Sequence, residues 1–81
     1  MSKSLYELAL EYDESIKSVR EIVASVRKDI REAEKRNDSY EVYSLSKKLE
    51  MLYEQIRDMK IVSEKLKTYY DEDKEKQESV A

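Results

Sequence analysis

Apolar side chains recur along this chain at alternating intervals of four and three residues, and the recurrence changes phase once, near residue 37. In the first half the recurring residues are Leu5, Ala9, Tyr12, Ile16, Val19, Val23, Val26, Ile30 and Ala33. In the second half they are Val42, Leu45, Leu49, Leu52, Ile56, Met59, Ser63, Leu66 and Tyr70. This spacing keeps one face of an α-helix apolar, as in coiled coils. We call the two rows the first seam and the second seam.

The change of phase predicts a turn between two helices. A single continuous helix would extend the first seam through Asn37, Tyr40, Ser44 and Lys47, which would give a poor apolar face. The chain contains neither Gly nor Pro, so the turn has to be formed by other residue types.

The segment around Asn37 has the residues that a turn requires. Asn tolerates the left-handed backbone conformation that commonly ends a helix. Asp38 can cap the following helix by accepting a hydrogen bond from a free backbone N–H, although Ser39 is an alternative cap. Glu41, three residues after Asp38, can reach back to the cap in a capping box.

These features predict an all-α fold, an antiparallel helical hairpin over residues 1–70. The first helix should span about 4–36 and the second about 39–70, with the turn at about 37–38. Residues 71–81 are charged and lack an apolar repeat, so we expect a frayed or disordered tail.

Antiparallel pairing of the two seams gives every seam residue a partner. The pairs are Ala33 with Val42, Ile30 with Leu45, Val26 with Leu49, Val23 with Leu52, Val19 with Ile56, Ile16 with Met59, Tyr12 with Ser63, Ala9 with Leu66 and Leu5 with Tyr70. Small residues face large ones in several pairs, as close packing requires.

The positions beside the seams also match in an antiparallel hairpin. One edge would pair Asp29 with Lys48, Arg36 with Glu41 and Leu8 with Tyr69; the other would pair Asp13 with Lys60 and bring Arg20 near Tyr53. None of these pairs carries like charges. Since an exposed ion pair contributes only about 0–1 kcal/mol, their expected role is to fix the orientation of the helices.

Four apolar residues lie together on one seam edge, outside the predicted core: Leu8, Ile22, Val62 and Tyr69. We call them the apolar strip. Two helices alone leave such a strip uncovered, and a contiguous apolar patch commonly marks an interaction site. We therefore expect self-association, with two hairpins forming a four-helix bundle as a homodimer, while binding of the strip to another protein is the alternative.

Composition narrows the chemistry available to the chain. There is no His and no Cys, which removes the most frequent general base, the usual metal ligands and the thiol nucleophile. Neighbouring carboxylates such as Asp13 with Glu14, or Asp71 with Asp73, are typical of a solvated helix face. We therefore expect a non-enzymatic protein with no catalytic residues, no metal site and no cofactor.

Charge is distributed unevenly along the hairpin. Residues 1–16 carry a net charge of -3, whereas residues 27–48, which surround the turn, carry a net charge of +2. The basic residues in that region are Arg27, Lys28, Arg31, Lys35, Arg36, Lys47 and Lys48. A basic hairpin tip is a possible contact for nucleic acid, but interleaved acids and a total charge of -3 favour a surface of ion pairs. A nucleic-acid-binding regulator is thus the alternative function.

The sequence shows no membrane or export signal. No apolar run approaches the roughly 18 residues that a membrane span needs. The start, residues 1–4, does not lead into the apolar core of a signal peptide. We expect a cytoplasmic protein that does not interact with membranes.

Two short segments resemble small charged two-helix proteins of prophages and integrative elements of Gram-positive bacteria. They are Leu5-Tyr6-Glu7-Leu8-Ala9 with Tyr12, and Leu66-Lys67-Thr68-Tyr69-Tyr70-Asp71. The resemblance extends loosely over about 70 residues. It implies a helical product of a mobile element, without an assigned activity.

Overall fold

The structure, a computed structural model, describes residues 4–79, with side chains described as far as residue 69. Helix α1 spans Leu5–Lys35 and helix α2 spans Ser39–Ser79. The two helices pack against each other as a hairpin that measures 67 × 19 × 16 Å. The predicted all-α helical hairpin is confirmed.

Helix α1 begins at a conventional cap. The backbone of Ser4 is extended, and its Oγ accepts a hydrogen bond of 3.1 Å from the Glu7 N–H. This bond pairs one of the backbone donors that the first turn of a helix leaves free.

The end of α1 is a Schellman turn centred on Asn37. Asn37 has a φ of 57°, the left-handed conformation that its short polar side chain tolerates. Its N–H donates to the Glu34 carbonyl at 3.0 Å, and the Asp38 N–H donates to the Ala33 carbonyl at 3.0 Å. These are the two hydrogen bonds that define the motif, so Asn37 replaces the glycine commonly found there.

Asp38 then caps α2, as the sequence predicts. Its Oδ1 accepts a hydrogen bond of 3.1 Å from the Glu41 N–H. The second predicted capping-box hydrogen bond, from the Asp38 N–H to the Glu41 carboxylate, is absent, because that N–H donates to the Ala33 carbonyl. The Glu41 carboxylate instead accepts a hydrogen bond from Arg36 Nη2 at 3.0 Å. The turn is therefore stabilised by one of the two capping-box hydrogen bonds and by the Arg36–Glu41 ion pair.

The hydrophobic core lies at the middle of the two seams. Val23, Val26 and Leu52 are buried there and form one cluster. The partly buried residues packed against it are Val19, Ile30, Leu45, Leu49 and Ile56. All eight belong to the predicted seams and to adjacent predicted layers, so the register of the antiparallel pairing agrees with the packing.

Two alanines are fully buried towards the ends of the seams. Ala9 and Ala33 both have an exposure of 0 %. Leu5, the first residue of α1, is 37 % exposed, and the side chain of its predicted partner Tyr70 lies outside the described residues. The seam is thus covered from Ala9 to Ala33.

Helix α2 extends further than predicted. The expected end was near residue 70, and the structure places it at Ser79. The side chains from residue 70 onward lie outside the described part of the chain, and the predicted fraying or disorder of residues 71–81 stays a prediction.

Candidate interaction surface

The apolar strip lies outside the hydrophobic core. Leu8 and Ile22 on α1 are 36 % and 45 % exposed, and Val62 and Tyr69 on α2 are 38 % and 55 % exposed. Each pair is separated by a multiple of seven residues, so each pair occupies one side of its helix.

The Arg36–Glu41 ion pair shows that both sides belong to the same edge of the hairpin. Seven-residue steps lead from Ile22 to Arg36 and from Val62 back to Glu41. Because the Arg36 and Glu41 side chains bond across the two helices at 3.0 Å, the two rows face each other along one edge. We call this edge the strip edge. Its apolar part lies away from the turn, and its charged part lies beside the turn.

Eight other apolar side chains are exposed in the described part of the chain, and Ile61 among them lines a groove together with Tyr69 of the strip. They are Leu5, Tyr6, Leu10, Tyr40, Tyr43, Met51, Tyr53 and Ile61. Tyr40 and Met51 face outward on α2, opposite the second seam, and the ammonium group of Lys47 lies 5.6 Å from the centroid of the Tyr43 ring. A cation above an aromatic face covers part of that ring. The strip thus combines exposed apolar side chains of both helices along one edge.

A polar cluster joins the two helices near the open end of the hairpin. The Ser63 hydroxyl is buried and donates a hydrogen bond of 2.7 Å to Asp13 Oδ1, with the Ala9 carbonyl at 3.3 Å. Lys67 Nζ donates to Asp13 Oδ2 at 2.8 Å. A hydroxyl has a single proton, so the shorter bond to the carboxylate takes it. Both carboxylate oxygens of Asp13 are therefore engaged.

This cluster corrects the predicted pairing of Asp13 with Lys60. Asp13 bonds to Lys67, one heptad further along α2, while Lys60 lines the same shallow groove as Asp13. The Ser63 hydroxyl explains the choice, because it fixes one carboxylate oxygen and turns the other towards Lys67. The sequence signal was available: Ser63 is the single polar residue in either seam, and a buried hydroxyl needs a hydrogen-bond partner.

The cluster shifts the titration of both charged members. The hydrogen bond from Lys67, followed by the one from Ser63, lowers the pKa of Asp13 below its usual 3.8. The hydrogen bond to Asp13 raises the pKa of Lys67 above its usual 10.5. Asp13 therefore stabilises the fold above its unfolded pKa and loses that contribution as the pH falls through its folded pKa. Lys67 contributes below its unfolded pKa and loses its contribution as the pH rises through its folded pKa.

The variant Asp13→Asn tests this linkage. We expect it to lower the free energy of unfolding near neutral pH, and the difference from the wild type should shrink as the pH falls through the acidic range. Urea unfolding followed by circular dichroism, at one protein concentration and several pH values, measures the difference. Asp58→Asn is the control, since Asp58 is exposed, lies beside Arg57 and takes an outward heptad position of α2. A difference from the wild type that does not change with pH would contradict the assignment.

The candidate nucleic-acid contacts do not form one face. Arg36 is held in its ion pair at the strip edge. Arg27 and Arg31 line a groove on the opposite edge, and Lys47 lies over Tyr43 on the outer side of α2. Lys28 and Lys35 take outward heptad positions of α1, and Lys48 lies on the strip edge. The positive charges therefore surround the hairpin tip on several sides.

An open groove of about 500 Å³ beside the turn is lined by Glu34, Asn37, Asp38, Ser39, Val42, Tyr43 and Ser46. Asp38 is already used in capping α2. Among the described residues, no three carboxylates converge as metal ligands, and no helix has the length and apolar character to cross a bilayer.

Comparison with protein-family models, with curated proteins and with solved structures finds no match to this chain.

Proposed function

We propose that this chain is a non-enzymatic helical interaction module that pairs with a second copy of itself through the apolar strip. The observation that carries the proposal is the strip itself, whose four side chains are between 36 % and 55 % exposed along a single edge. Two hairpins joined at this edge would enclose the strip in a four-helix bundle.

The size of the hydrophobic core supports the proposal. In the described part of the chain, the buried apolar residues are Ala9, Ile16, Val23, Val26, Ala33 and Leu52. Two of these are alanines, which bury little area. A small domain with so little interior gains stability when its remaining apolar surface is covered by association.

The mass of the wild-type chain in solution tests the proposal. Light scattering over a hundredfold range of protein concentration should give a mass near twice 9.7 kDa at the higher concentrations. Dissociation on dilution would give the dimer dissociation constant. A mass of one chain throughout that range would contradict self-association and would leave the strip to a different protein.

The alternative is a nucleic-acid-binding regulator that uses the basic tip, from Arg27 to Lys48. It predicts affinity for DNA or RNA that falls steeply with salt, because phosphate contacts release bound counterions. The dispersal of these cations around the tip favours self-association over this alternative. The resemblance to proteins of mobile elements is compatible with either function and supplies a proposed origin for the chain.

A further inference from the structure

The strip edge carries charged residues whose arrangement bears on how two copies would pair. Beyond the strip, seven-residue steps place Asp29 on α1 and Lys48 on α2 along the same edge. The sequence predicts an ion pair between them within one chain, but the structure contains none in the described range. Both charges are therefore available to a second copy.

We infer that two copies pair along the full strip edge with their turns at the same end, so that α1 of one copy lies against α2 of the other. This inference rests on the proposed self-association and adds the geometry of the dimer. The two-fold axis would run parallel to the helices, and each helix would have only antiparallel neighbours.

Charge complementarity along the edge favours this arrangement. With the turns together, Asp29 of each copy lies opposite Lys48 of the other. The Arg36–Glu41 ion pair that each copy already contains then lies beside that of the other copy, with opposite charges facing each other. At the open end, Leu8 lies opposite Tyr69, and between the two ends Ile22 lies opposite Gln55 and Val62 lies opposite Ser15. No position on the edge meets a like charge, and the two-fold axis repeats each contact in both halves of the interface.

The ends of the two helices away from the turn also differ in charge. On α1, residues 4–16 contain four acidic and no basic side chains. On α2, residues 57–69 contain four basic and two acidic side chains. Placing α1 of one copy against α2 of the other brings these segments together, which favours the same arrangement over contact between two copies of α1.

The length of edge that two copies match differs between the two arrangements. With the turns at opposite ends, the strip of one copy meets the strip of the other only from Leu8 to Ile22, a length of about 21 Å, and the charged part of each edge lies beyond it. With the turns together, the match continues to Arg36, a length of about 42 Å.

The distance between the two turns tests the inference. The chain has no cysteine, so Tyr40→Cys provides one spin-label site, on a side chain that is 83 % exposed and outside the core. With the turns at the same end, dipolar spectroscopy should give a distance of about 30–40 Å between labels, set by helix spacings of about 8–10 Å. With the turns at opposite ends, each label lies about 33 Å from the centre of the strip, and the distance becomes about 65 Å.

Lys17→Cys is the matched control. Lys17 is exposed and lies near the middle of the strip along the helix axis, so its labels should be closer than about 40 Å in either arrangement. A short distance from both sites supports the inference. A short distance from Lys17→Cys with a long one from Tyr40→Cys would overturn the geometry while leaving the dimer intact. No dipolar signal from either site, with the mass of one chain, would overturn both the geometry and the proposed function.

Discussion

Replacing Leu52 with Ala will lower the free energy of unfolding by about 2–5 kcal/mol, the largest effect that we expect from truncating a single side chain of this hairpin. Leu52 is 9 % exposed and is the α2 member of the central cluster, opposite Val23 and Val26. Its removal takes apolar atoms out of a buried contact and leaves a gap between two helices.

The hairpin has no further layer to compensate for that gap. Native proteins are stable by about 0.05–0.15 kcal/mol per residue, and small domains bury the least surface. A loss of several kcal/mol is therefore a large share of the total, and a substantial population of Leu52→Ala chains should be unfolded at room temperature.

Met51→Ala is the control for Leu52→Ala. Met51 is the adjacent residue on the same helix, it is 63 % exposed, and it lies outside the core cluster. Leu and Met have similar helix propensities, and both are replaced with Ala. The two variants therefore differ in how deeply the lost side chain is buried. Thermal and urea unfolding should show a change within about 0.5 kcal/mol for Met51→Ala. Equal losses for the two variants would contradict the described packing of the seams.

The helices, the turn and the pairing of the seams are predictable because they depend on periodicity and local backbone chemistry. The apolar repeat determines which side of each helix is buried, and its change of phase locates the turn. Asn37 and Asp38 have side chains suited to a left-handed residue and a helix cap, and the structure uses them in those roles. Burial of Val26 and Leu52 then follows from their seam positions.

The polar contacts were harder to predict. Long side chains can reach neighbours on more than one level of the facing helix, so the choice of Lys67 over Lys60 by Asp13 depends on the position of the Ser63 hydroxyl. Glu41 had two competing partners, and the Schellman turn had already used the Asp38 N–H. Exchanging one such partner for another leaves the backbone unchanged. The free-energy difference between the partners is small compared with that from burial of the seams.

The position of the apolar strip follows from the sequence, but what covers it does not. Four residues at heptad spacing define an exposed edge whatever the partner is. The charges at Asp29 and Lys48 favour a second copy of the chain, because they form no ion pair with each other within one chain and lie opposite each other when two edges meet with the turns together.

Introducing a charge into the strip should therefore dissociate the proposed dimer. We expect Ile22→Glu to raise the dimer dissociation constant at least a hundredfold. Each copy would place its new carboxylate inside the interface with no cation opposite it, and burying a charge without a partner is costly. Because of the two-fold symmetry, one substitution introduces two such carboxylates. The helix content should be unchanged, since Ile22 is 45 % exposed in the single hairpin and lies outside its core cluster.

Tyr40→Glu separates a local effect at the strip from a general effect of charge. It makes the same change in net charge at a site on the outer side of α2, where the side chain is 83 % exposed. Sedimentation equilibrium of both variants and the wild type at matched salt should show dissociation for Ile22→Glu alone. If the two variants dissociate equally, net charge governs association and the strip is not the interface. If neither dissociates, the copies meet through another face, and the strip is then the surface open to a different protein.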